Sequence, residues 1–584
     1  MNLYRETKVA EKQTVDSLLP IMIPQLVNFM ASVFMFDDIG ECSYEEAIKG
    51  DPDLHLDSMN LKSSNGIPAT NLGVANGYNI WDDNRNRIHY EDKREIVCDF
   101  VETRAKLKVL EARKGKRVAS IVKNCLKDEL RPLAKIKDPK TRLFTAYPRE
   151  TIVALRMVFG RFKAAFKRHR TDLFHGVGIN PRSGDWFELQ TRLKKHPHAI
   201  DEDFNSFDKR IPNEFMISAC KVICDTIKTV TNCSDAQYLT MQTLMADVTT
   251  PYCVSYDNLI QLTSGNASGN PFTTEVNCIV NYLYHWYVFM VKTKLDSLAD
   301  FRKHVEIVVY GDDVIQTVSD DAYEYYNFET IREVLSSIGQ IVTPADKTDK
   351  VIDKTIEQLT FLQRGFVRDS DNGYVIKAPL NKDAIESCWN YNAIDEHDVA
   401  SWAELTRMTL GEACLHGEKY YNFIKGRILQ KLQELRHLQQ LYIAVNLELQ
   451  SSYASCYFKF IHSYFQDSVN VRQVIYKQRE FSCENRNHVS DLSPLIEYND
   501  NRVFDSETLN CILTSEFDRA KYLEAVRKYR APQYVIVTST QLTNFCHQII
   551  VNLDFGYYKV NRLRVQHFNK TQCDLLLYNT LIYL

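Results

Sequence analysis

The chain has 584 residues, of which 45% are hydrophobic and 25% are charged. That length exceeds what one small core needs, and the composition excludes a largely disordered chain. The net charge is −4, so overall charge gives no indication of a nucleic-acid partner.

The first apolar segment is Leu18–Phe36, which contains Pro20 and Pro24. We expect a buried or interfacial helix there, with a membrane span as the alternative, and we expect neither a transmembrane segment nor a secretory signal peptide. The 15 cysteines include no C-x-x-C pair. Cys220 and Cys224 lie one helical turn apart, but no cluster completes a zinc site, and this usage is typical of a reducing compartment.

A basic stretch follows between Arg104 and Arg170, where Lys and Arg far outnumber Asp and Glu. A local excess of positive charge is the usual footprint of a phosphate-binding surface. A solvated helix face is the alternative, and composition alone does not decide between the two.

Two carboxylates, Asp203 and Asp208, follow the apolar residues Ala199 and Ile200 and precede a helical pattern over Arg210–Ile227. The spacing D-x4-D places the first carboxylate at a strand end and the second at the mouth of the helix. As an alternative, Asp208 is only an acidic residue that favours the helix dipole.

A Ser-Gly turn at Ser268 and Gly269 opens another predicted helix, with Thr273 and Asn277 in its first turns. Glycine lets a backbone approach nucleic acid closely. Asn277 can reach back towards Asp208, and together they could sense a ribose 2′-hydroxyl, the group that distinguishes RNA from DNA. The alternative is a plain helix start capped by Ser268.

A mostly β-branched run, Val305–Val309, leads into the sequence Tyr-Gly-Asp-Asp and then into further apolar residues, which predicts strand, tight turn and strand. The neighbouring carboxylates Asp312 and Asp313 repel each other, and a divalent cation would relieve that repulsion. Phosphoryl transfer needs carboxylates from separate elements to hold two metal ions about 4 Å apart. We therefore predict Asp203 and Asp312 as bridging metal ligands with Asp313 assisting. An ordinary acidic turn is the alternative.

The rest of the chain shows helical periodicity over residues 380–470, for example at Ile428 and Leu432. After about residue 500 the sequence becomes β-prone, as at Tyr534–Val537 and Ile549–Val551. No internal repeat is present.

In this order, D-x4-D at Asp203–Asp208, S-G-x3-T-x3-N at Ser268–Asn277 and Y-G-D-D at Tyr310–Asp313 resemble motifs A, B and C of picornavirus-like RNA-dependent RNA polymerases. Each motif is moderately specific, and the ordered set is highly specific. The forms of Gly265–Gly269 and Phe207–Arg210 look closer to marnavirus- or dicistrovirus-like enzymes. Flanking segments extend the resemblance: motif G at Ser63–Pro68, motif F at Lys127–Arg142, motif D at Thr343–Lys347, motif E at Phe361–Arg364, and thumb-like segments at Ala378–Asp383 and His416–Gly417.

The resemblance implies a role for each matching residue. Lys347 would be the general acid that protonates departing pyrophosphate, and Arg142 would clamp the triphosphate by forked hydrogen bonds. A surface charge is the alternative for each basic residue, and a plain hairpin is the alternative for the primer grip at Phe361–Arg364. The implied nucleotide-binding residues are Arg142, Lys127, Lys135, Asp208, Ser268, Thr273 and Asn277. The implied RNA-binding residues are Ser63, Ser64, Gly66, Lys140, Gly269, Phe361, Leu362 and Arg364.

The implied fold is α+β, a closed right-hand polymerase with an antiparallel palm sheet and a helical thumb. Residues 446–584 extend beyond the usual thumb and have no functional interpretation. The expected divisions are an N-terminal segment of the fingers at 1–62, fingers at 63–200, palm at 201–366 with a fingers insertion near 225–262, and thumb at 367–445.

The implied activity is template-directed transfer of nucleotides from NTPs to an RNA 3′ end, with Mg²⁺ as the cofactor and Mn²⁺ able to substitute. The implied partners are an RNA template, an RNA or protein primer and other viral replication proteins, at membrane-associated complexes in the host cytoplasm. One alternative is a reverse transcriptase, which prefers an aromatic residue where Asp208 lies and lacks the Ser268–Asn277 pattern. Another is an inactive palm-like scaffold that binds RNA.

Overall fold

In the computed structural model, the chain forms two compact units. The first unit is formed by residues 1–179 and 193–363, and the second by residues 180–192 and 364–584. Except for Arg364, the site residues predicted from sequence belong to the first unit. The described residues are 9–88, 93–127, 142–255, 258–345, 354–370, 373, 375–389, 394, 397–466, 549–554 and 559–565.

The described chain contains helices throughout and strands that form four sheets. The helices are α1 (Val9–Phe34), α2 (Tyr44–Lys49), α3 (Lys93–Ala112), α4 (Arg149–Arg168), α5 (Asp185–Leu193), α6 (Phe207–Arg210), α7 (Asn213–Thr231), α8 (Asp235–Thr249), α9 (Thr273–Thr293), α10 (Leu298–His304), α11 (Asp320–Tyr323), α12 (Phe328–Ser337), α13 (Lys382–Cys388), α14 (Val399–Cys414), α15 (Glu418–Glu434), α16 (Gln439–Leu449) and α17 (Tyr453–Gln466). The strands are β1 (Ile121–Leu126), β2 (Leu143–Ala146), β3 (His198–Phe204), β4 (Tyr252–Ser255), β5 (Asn258–Gln261), β6 (Val305–Tyr310), β7 (Asp313–Val318), β8 (Val342–Pro344), β9 (Val367–Arg368), β10 (Ile376–Lys377), β11 (Ile549–Asp554) and β12 (Lys559–Val565).

The first unit is built around a four-stranded antiparallel sheet in the order β6-β7-β3-β8, which we call the palm sheet. Helix α9 packs against β6, and every residue from Glu275 to Met290 on α9 is buried. A helix that is apolar on nearly all sides, as α9 is, belongs inside a core. A second sheet, β2-β1-β4-β5, has β1 parallel to β4.

Helix α1 packs along α7 through a buried face that includes Leu26, Met30 and Phe34. Within it, Lys12–Phe34 has a mean hydropathy of 1.6 and is long and apolar enough to cross a membrane, while 39% of its most apolar window is buried. The helix expected at Leu18–Phe36 is thus present and buried along one face, and the choice between a buried, an interfacial and a membrane-spanning helix stays a prediction.

The local predictions hold with one adjustment. The strand, turn and strand predicted around Tyr310–Asp313 are confirmed by β6 and β7. The helix predicted over Arg210–Ile227 instead begins at Asn213 and ends at Thr231, because Pro212 has extended backbone and precedes the first turn. Ile549–Val551 lies in β11 as predicted, and Tyr534–Val537 lies outside the described residues.

The second unit has its own helical core, which confirms the helical periodicity of residues 380–470. Helices α13 to α17 bury a shared apolar cluster that includes Leu410, Tyr421, Ile428 and Val445. The helices continue past residue 445 to Gln466. The proposed division into fingers, palm and thumb at given residues stays a prediction.

Candidate active site

Three predicted metal ligands lie at one end of the palm sheet. Asp312 is at the tip of the β6–β7 hairpin, where Gly311 takes a φ of 66° and Tyr310 pairs with Asp313. On the neighbouring strand, Glu202 pairs with Val314. One step beyond that pair, Asp203 therefore lies beside Asp313, across a strand spacing of about 4.8 Å.

The carboxylate of Asp203 lies on the face of the sheet that α9 leaves uncovered. Glu202 points towards α9, where its carboxylate oxygens lie 3.3 Å from Nε2 of His285. Because strand side chains alternate, Asp201 and Asp203 lie on the opposite face. There, Asp201 accepts hydrogen bonds from Nζ of Lys354 at 2.7 Å and from the backbone of Thr360 at 3.0 Å.

The aspartates at this end of the sheet perturb one another. Desolvation, with the charges of Asp312 and Asp203 added to it, raises the pKa of Asp313 to about 6. Asp312 is exposed at the hairpin tip. Nearby protein atoms nevertheless desolvate its carboxylate, which raises the pKa of Asp312, and the negative charge of Asp203 raises this pKa further. Asp312 and Asp313 are therefore less stable as anions here than they would be in water.

The donor set fits a hard divalent cation. Carboxylate oxygens are the ligands that Mg²⁺ prefers, and a cation would offset the desolvation and the repulsion that raise the pKa values of Asp312 and Asp313. As placed, no three metal-ligating side chains converge within the described parts of the chain. The observation that supports metal binding is thus the mutual repulsion of Asp203, Asp312 and Asp313.

Asn277 reaches Asp208, as the sequence predicts. Its Nδ2 donates a hydrogen bond to Oδ1 of Asp208 at 2.5 Å, and its Oδ1 accepts one from Asn266 at 2.8 Å. Asn270 in turn donates to Oδ1 of Asn266 at 2.7 Å. The pKa of Asp208 is raised, mainly because the carboxyl is buried, and the negative charge of Asp312 raises it further. The hydrogen bond from Asn277 and the positive charge of Arg142 act in the opposite direction.

The turn before α9 is not a capped helix start. The residue at the N-cap is Phe272, which makes no side-chain capping bond, so the interpretation of Ser268 as a cap is wrong. Ser268 lies half-buried four residues earlier, and Oγ1 of Thr273 donates to the carbonyl of Asn270 at 2.9 Å. Ser268 is thereby left available for a role other than capping.

Gly269 is required by the packing of the protein itself. A Cβ atom at this position would lie 1.7 Å from the carbonyl oxygen of Thr145 on β2. The sequence argument assigned the missing side chain to an approach of nucleic acid, whereas the structure shows a close approach of two backbone segments.

Gly269→Ala is expected to destabilise the protein by about 1–3 kcal/mol or more, because the backbone at Thr145 must move. Thermal unfolding of the purified variant measures this loss. Gly426→Ala is the matched control, since Gly426 lies exposed in α15 with nothing within 4 Å of an added Cβ. An unchanged melting temperature for Gly269→Ala would contradict the packing described here.

The predicted motif F begins directly after β1 and ends directly before β2, two strands that pair with each other. The backbone N–H of Lys127 donates to the carbonyl of Arg142 at 2.8 Å, which continues the pairing of β1 with β2. The charge of Arg142 lowers the pKa of both Asp208 and Asp312, so this guanidinium lies near the acidic end of the palm sheet. Lys135 and Lys140 lie outside the described residues.

Arg149, which the sequence analysis did not single out, holds the predicted motif G loop. Its guanidinium donates to the carbonyl and Oγ of Ser63 at 2.5 and 3.0 Å and to Oδ1 of Asn65 at 3.0 Å. Ser64 accepts from the backbone of Gly66 at 3.1 Å. Burial lowers the pKa of Arg149 to about 10. No spacing rule in the sequence links an arginine to a loop more than eighty residues earlier.

Much of the basic stretch between Arg104 and Arg170 is engaged inside the protein. Arg117 and Lys108 both pair with the buried Asp247, at 2.9 and 3.2 Å. The excess of positive charge is therefore not by itself a phosphate-binding track. Other basic side chains here that pair with acids or backbone carbonyls include Lys106, Arg113, Lys114, Arg149, Arg156, Arg161, Lys163, Lys167 and Arg168.

The segments predicted as motifs D and E are placed in part. Thr343 pairs with Asp203 across β8 and β3, and Lys347 lies outside the described residues. Phe361 is buried against Gly176, and Leu362 follows with a φ of 53°. In the second unit, Arg364 donates to both carboxylate oxygens of Glu412, at 2.7 and 3.0 Å.

An antiparallel palm sheet with aspartates at the ends of two neighbouring strands, beside the hydrogen-bonded pair Asp208 and Asn277, is the arrangement of a right-hand nucleic-acid polymerase. The model of the viral RNA-dependent RNA polymerase family matches residues 7–433, and the chain belongs to this family. Membership of this family rejects the reverse transcriptase alternative. The picornavirus-like resemblance and the α+β right-hand fold are confirmed by the relatives and the solved structure described next.

Relatives and a solved structure agree with this assignment. The replication polyprotein of Nora virus is 31% identical over 418 residues, which cover 71% of this chain and 19% of the polyprotein. The replicase polyprotein of cricket paralysis virus is 32% identical over 317 residues, covering 52% and 18%. The chain thus spans about a fifth of these polyproteins. The solved Sicinivirus 3Dpol RNA-dependent RNA polymerase shares the fold with a TM-score of 0.57 at 19% identity, covering 76% of this chain and 85% of that one.

Proposed function

We propose that the chain is an RNA-directed RNA polymerase that replicates the genome of a positive-strand RNA virus by template-directed nucleotidyl transfer. The observation that carries the proposal is geometric: strand pairing sets Asp203 beside Asp313 at the end of the palm sheet, and Asp208 accepts a hydrogen bond from Asn277 at 2.5 Å. This arrangement supports a single site formed by three motifs that the sequence only places in order.

The catalytic assignments extend this proposal to a two-metal mechanism with Mg²⁺ or Mn²⁺. Asp203 and Asp312 are the bridging ligands and Asp313 assists. Once bound, the two ions would activate the attacking 3′-hydroxyl and stabilise the charge of the triphosphate. Asp208 and Asn277 bind the ribose, and Arg142 with Lys127 neutralises the phosphates.

The remaining assignments rest on the family alone. Lys347 is proposed as the general acid, and the RNA template is proposed to contact the motif G loop at Ser63–Gly66. An RNA or protein primer, other viral replication proteins and a location at membrane-associated complexes in the host cytoplasm complete the proposal.

Primer extension on homopolymer templates tests it, with Mg²⁺ present and each of the four NTPs offered separately. The proposed enzyme incorporates only the nucleotide complementary to the template, and chelation of the metal stops incorporation. RNA binding without incorporation, in Mg²⁺ and in Mn²⁺, would instead support the scaffold alternative.

Asp313→Asn is expected to stabilise the metal-free protein at pH 7.5 and to have little effect near pH 4. In the folded protein, the Asp313 carboxyl has a pKa of about 6, above the ordinary value of 3.8. The folded state therefore holds this proton more tightly than the unfolded state, and stability falls as pH rises through that interval. The asparagine variant avoids the loss, which we expect to be about 1–2 kcal/mol after allowing for solvent.

Thermal unfolding in chelator at the two pH values measures the difference. Added Mg²⁺ should narrow the gap at pH 7.5, because a bound cation stabilises the native protein. Asp321→Asn, which changes an exposed acid on α11, serves as the control. A stabilisation by Asp313→Asn that is equal at both pH values would show that the charge of Asp313 is not the cause.

A further inference from the structure

Helix α9 holds the tip of the catalytic hairpin by both backbone groups of one residue. The N–H of Gly311 donates to Sγ of Cys278 at 3.2 Å, and the carbonyl of Gly311 accepts from Nδ2 of Asn281 at 2.9 Å. The same Nδ2 lies 3.4 Å from the carbonyl of Asp312. The two peptide planes next to the Asp312 carboxylate are therefore set by a side chain from another element.

The side chain of Asn281 is not explained by stability. It is fully buried, and its Oδ1 accepts no hydrogen bond from any described residue. An unpaired buried acceptor costs free energy, so an apolar residue of similar size would serve the core at least as well. The contribution specific to asparagine is its donor, which is directed at Gly311 and Asp312.

A buried polar network fixes α9 against the strands that carry the other metal ligands. Nδ1 of His285 lies 2.8 Å from the carbonyl of Asn281, and its Nε2 lies 3.3 Å from both oxygens of Glu202. Gln316 donates to Glu202 at 2.7 Å and accepts from the hydroxyl of Tyr326 at 2.9 Å. Glu202 directly precedes Asp203 on β3, and Gln316 follows Asp313 on β7, so helix and strands are tied together below the site.

We propose that Asn281 is a positioning residue that orients the Asp312 carboxylate for metal binding and links this orientation to the helix turn that reads the ribose. The inference rests on the proposed function. Asn277 and Asn281 lie four residues apart on α9 and therefore share one face. One of them contacts Asp208 and the other contacts the Tyr310–Asp313 turn. If an incorrectly bound sugar displaces this helix turn, the Asp312 carboxylate that binds the metal is therefore displaced as well.

The test compares Asn281→Leu, which keeps the branching at Cγ and removes the donor, with Asn281→Gln, which keeps an amide donor on a longer arm. Metal affinity is read directly from the rise in melting temperature during an Mn²⁺ titration. Asn281→Leu is expected to need at least about fivefold more Mn²⁺ for half of the maximal rise, as expected for the loss of one well-placed hydrogen bond. Asn281→Gln is expected to recover part of the affinity.

Kinetics supply a second readout. In single-turnover primer extension, Asn281→Leu should require more Mg²⁺ and show a lower maximal rate, with little change in the NTP concentration at half-maximal rate. Its preference for NTPs over 2′-deoxy-NTPs should also fall. Ile279→Ala is the matched control, because Ile279 is buried on another side of α9 and its truncation weakens packing without changing a contact to Gly311.

The outcomes separate this inference from the proposed function. A wild-type protein that incorporates no nucleotide refutes the proposed function, while the Mn²⁺ titration still reports on Asn281. A wild-type Mn²⁺ requirement in Asn281→Leu, or an equal shift in Ile279→Ala, overturns the positioning role. If Asn281→Leu does not fold, Asn281→Ala, which needs no additional space, gives the same comparison.

Discussion

Asp312→Asn is expected to abolish nucleotide incorporation while RNA binding persists. The substitution keeps the size of the side chain and removes the charge with which Asp312 would share a cation with Asp203. Loss of one bridging carboxylate should cost the transition state about 4 kcal/mol or more, which is roughly a 10³-fold lower rate. Asp203→Asn should behave in the same way. Single-turnover primer extension measures the rate, and filter binding measures RNA affinity.

The substitution Asp312→Asn is also expected to change the pKa of the neighbouring Asp313 carboxyl. The charge of Asp312 raises the pKa of Asp313, so its removal should lower that pKa below about 6. Asp321→Asn is again the control, since Asp321 lies exposed on α11 in the same unit. Incorporation by Asp312→Asn within tenfold of the wild-type rate would refute the assignment of Asp312 as a bridging metal ligand.

The acidic centre could be predicted because its residues are marked by local pattern. Asp203 follows an apolar strand, and Asp312 and Asp313 lie in a turn between two β-branched strands. Register supplies the rest, since side-by-side pairing of β3 with β7 brings the strand ends together. The contact of Asn277 with Asp208, 69 residues earlier in the chain, was indicated by the order of the motifs and not by local helix geometry.

The supporting hydrogen bonds could not be predicted from sequence. Asn266, Asn281 and Arg149 are buried polar residues, and which buried partner each one meets is decided by tertiary packing. An asparagine inside an apolar helix such as α9 gives one signal, because burial of an amide without a partner is costly. That signal indicates that a contact exists, and does not identify Gly311 as the partner.

Two local arguments are incomplete because a neighbouring segment competes for the same atoms, and an RNA contact at Gly269 stays a prediction. Charge counting between Arg104 and Arg170 does not register that Asp247, far along the chain, already pairs with Lys108 and Arg117. The glycine argument at Gly269 correctly requires a close approach of another group. It assigns that approach to RNA, whereas the carbonyl of Thr145 occupies the space.

Asn277→Ala is expected to lower the preference for NTPs over 2′-deoxy-NTPs by roughly tenfold to a hundredfold. Asn277 is held in one orientation, because its Oδ1 accepts from Asn266 while its Nδ2 donates to Asp208. A site that is organised in advance to bind a hydroxyl discriminates strongly against a substrate that lacks it, and the truncation removes that organisation. Competition between ATP and dATP in single-nucleotide extension measures the ratio.

A shift in the pH profile distinguishes this role from general damage to the helix. The hydrogen bond from Asn277 lowers the pKa of Asp208, whereas burial and the charge of Asp312 raise it. Without Asn277 the pKa of Asp208 rises further, so Asp208 takes up its proton at a higher pH than in the wild type. The pH below which NTP binding weakens should therefore be higher in Asn277→Ala than in the wild type. Ile279→Ala should lower the stability of the protein without changing the preference for NTPs over 2′-deoxy-NTPs or the pH dependence of NTP binding. If Asn277→Ala keeps the wild-type ratio, the Asp208–Asn277 pair is a structural bond of the palm, and sugar selection has to come from other residues.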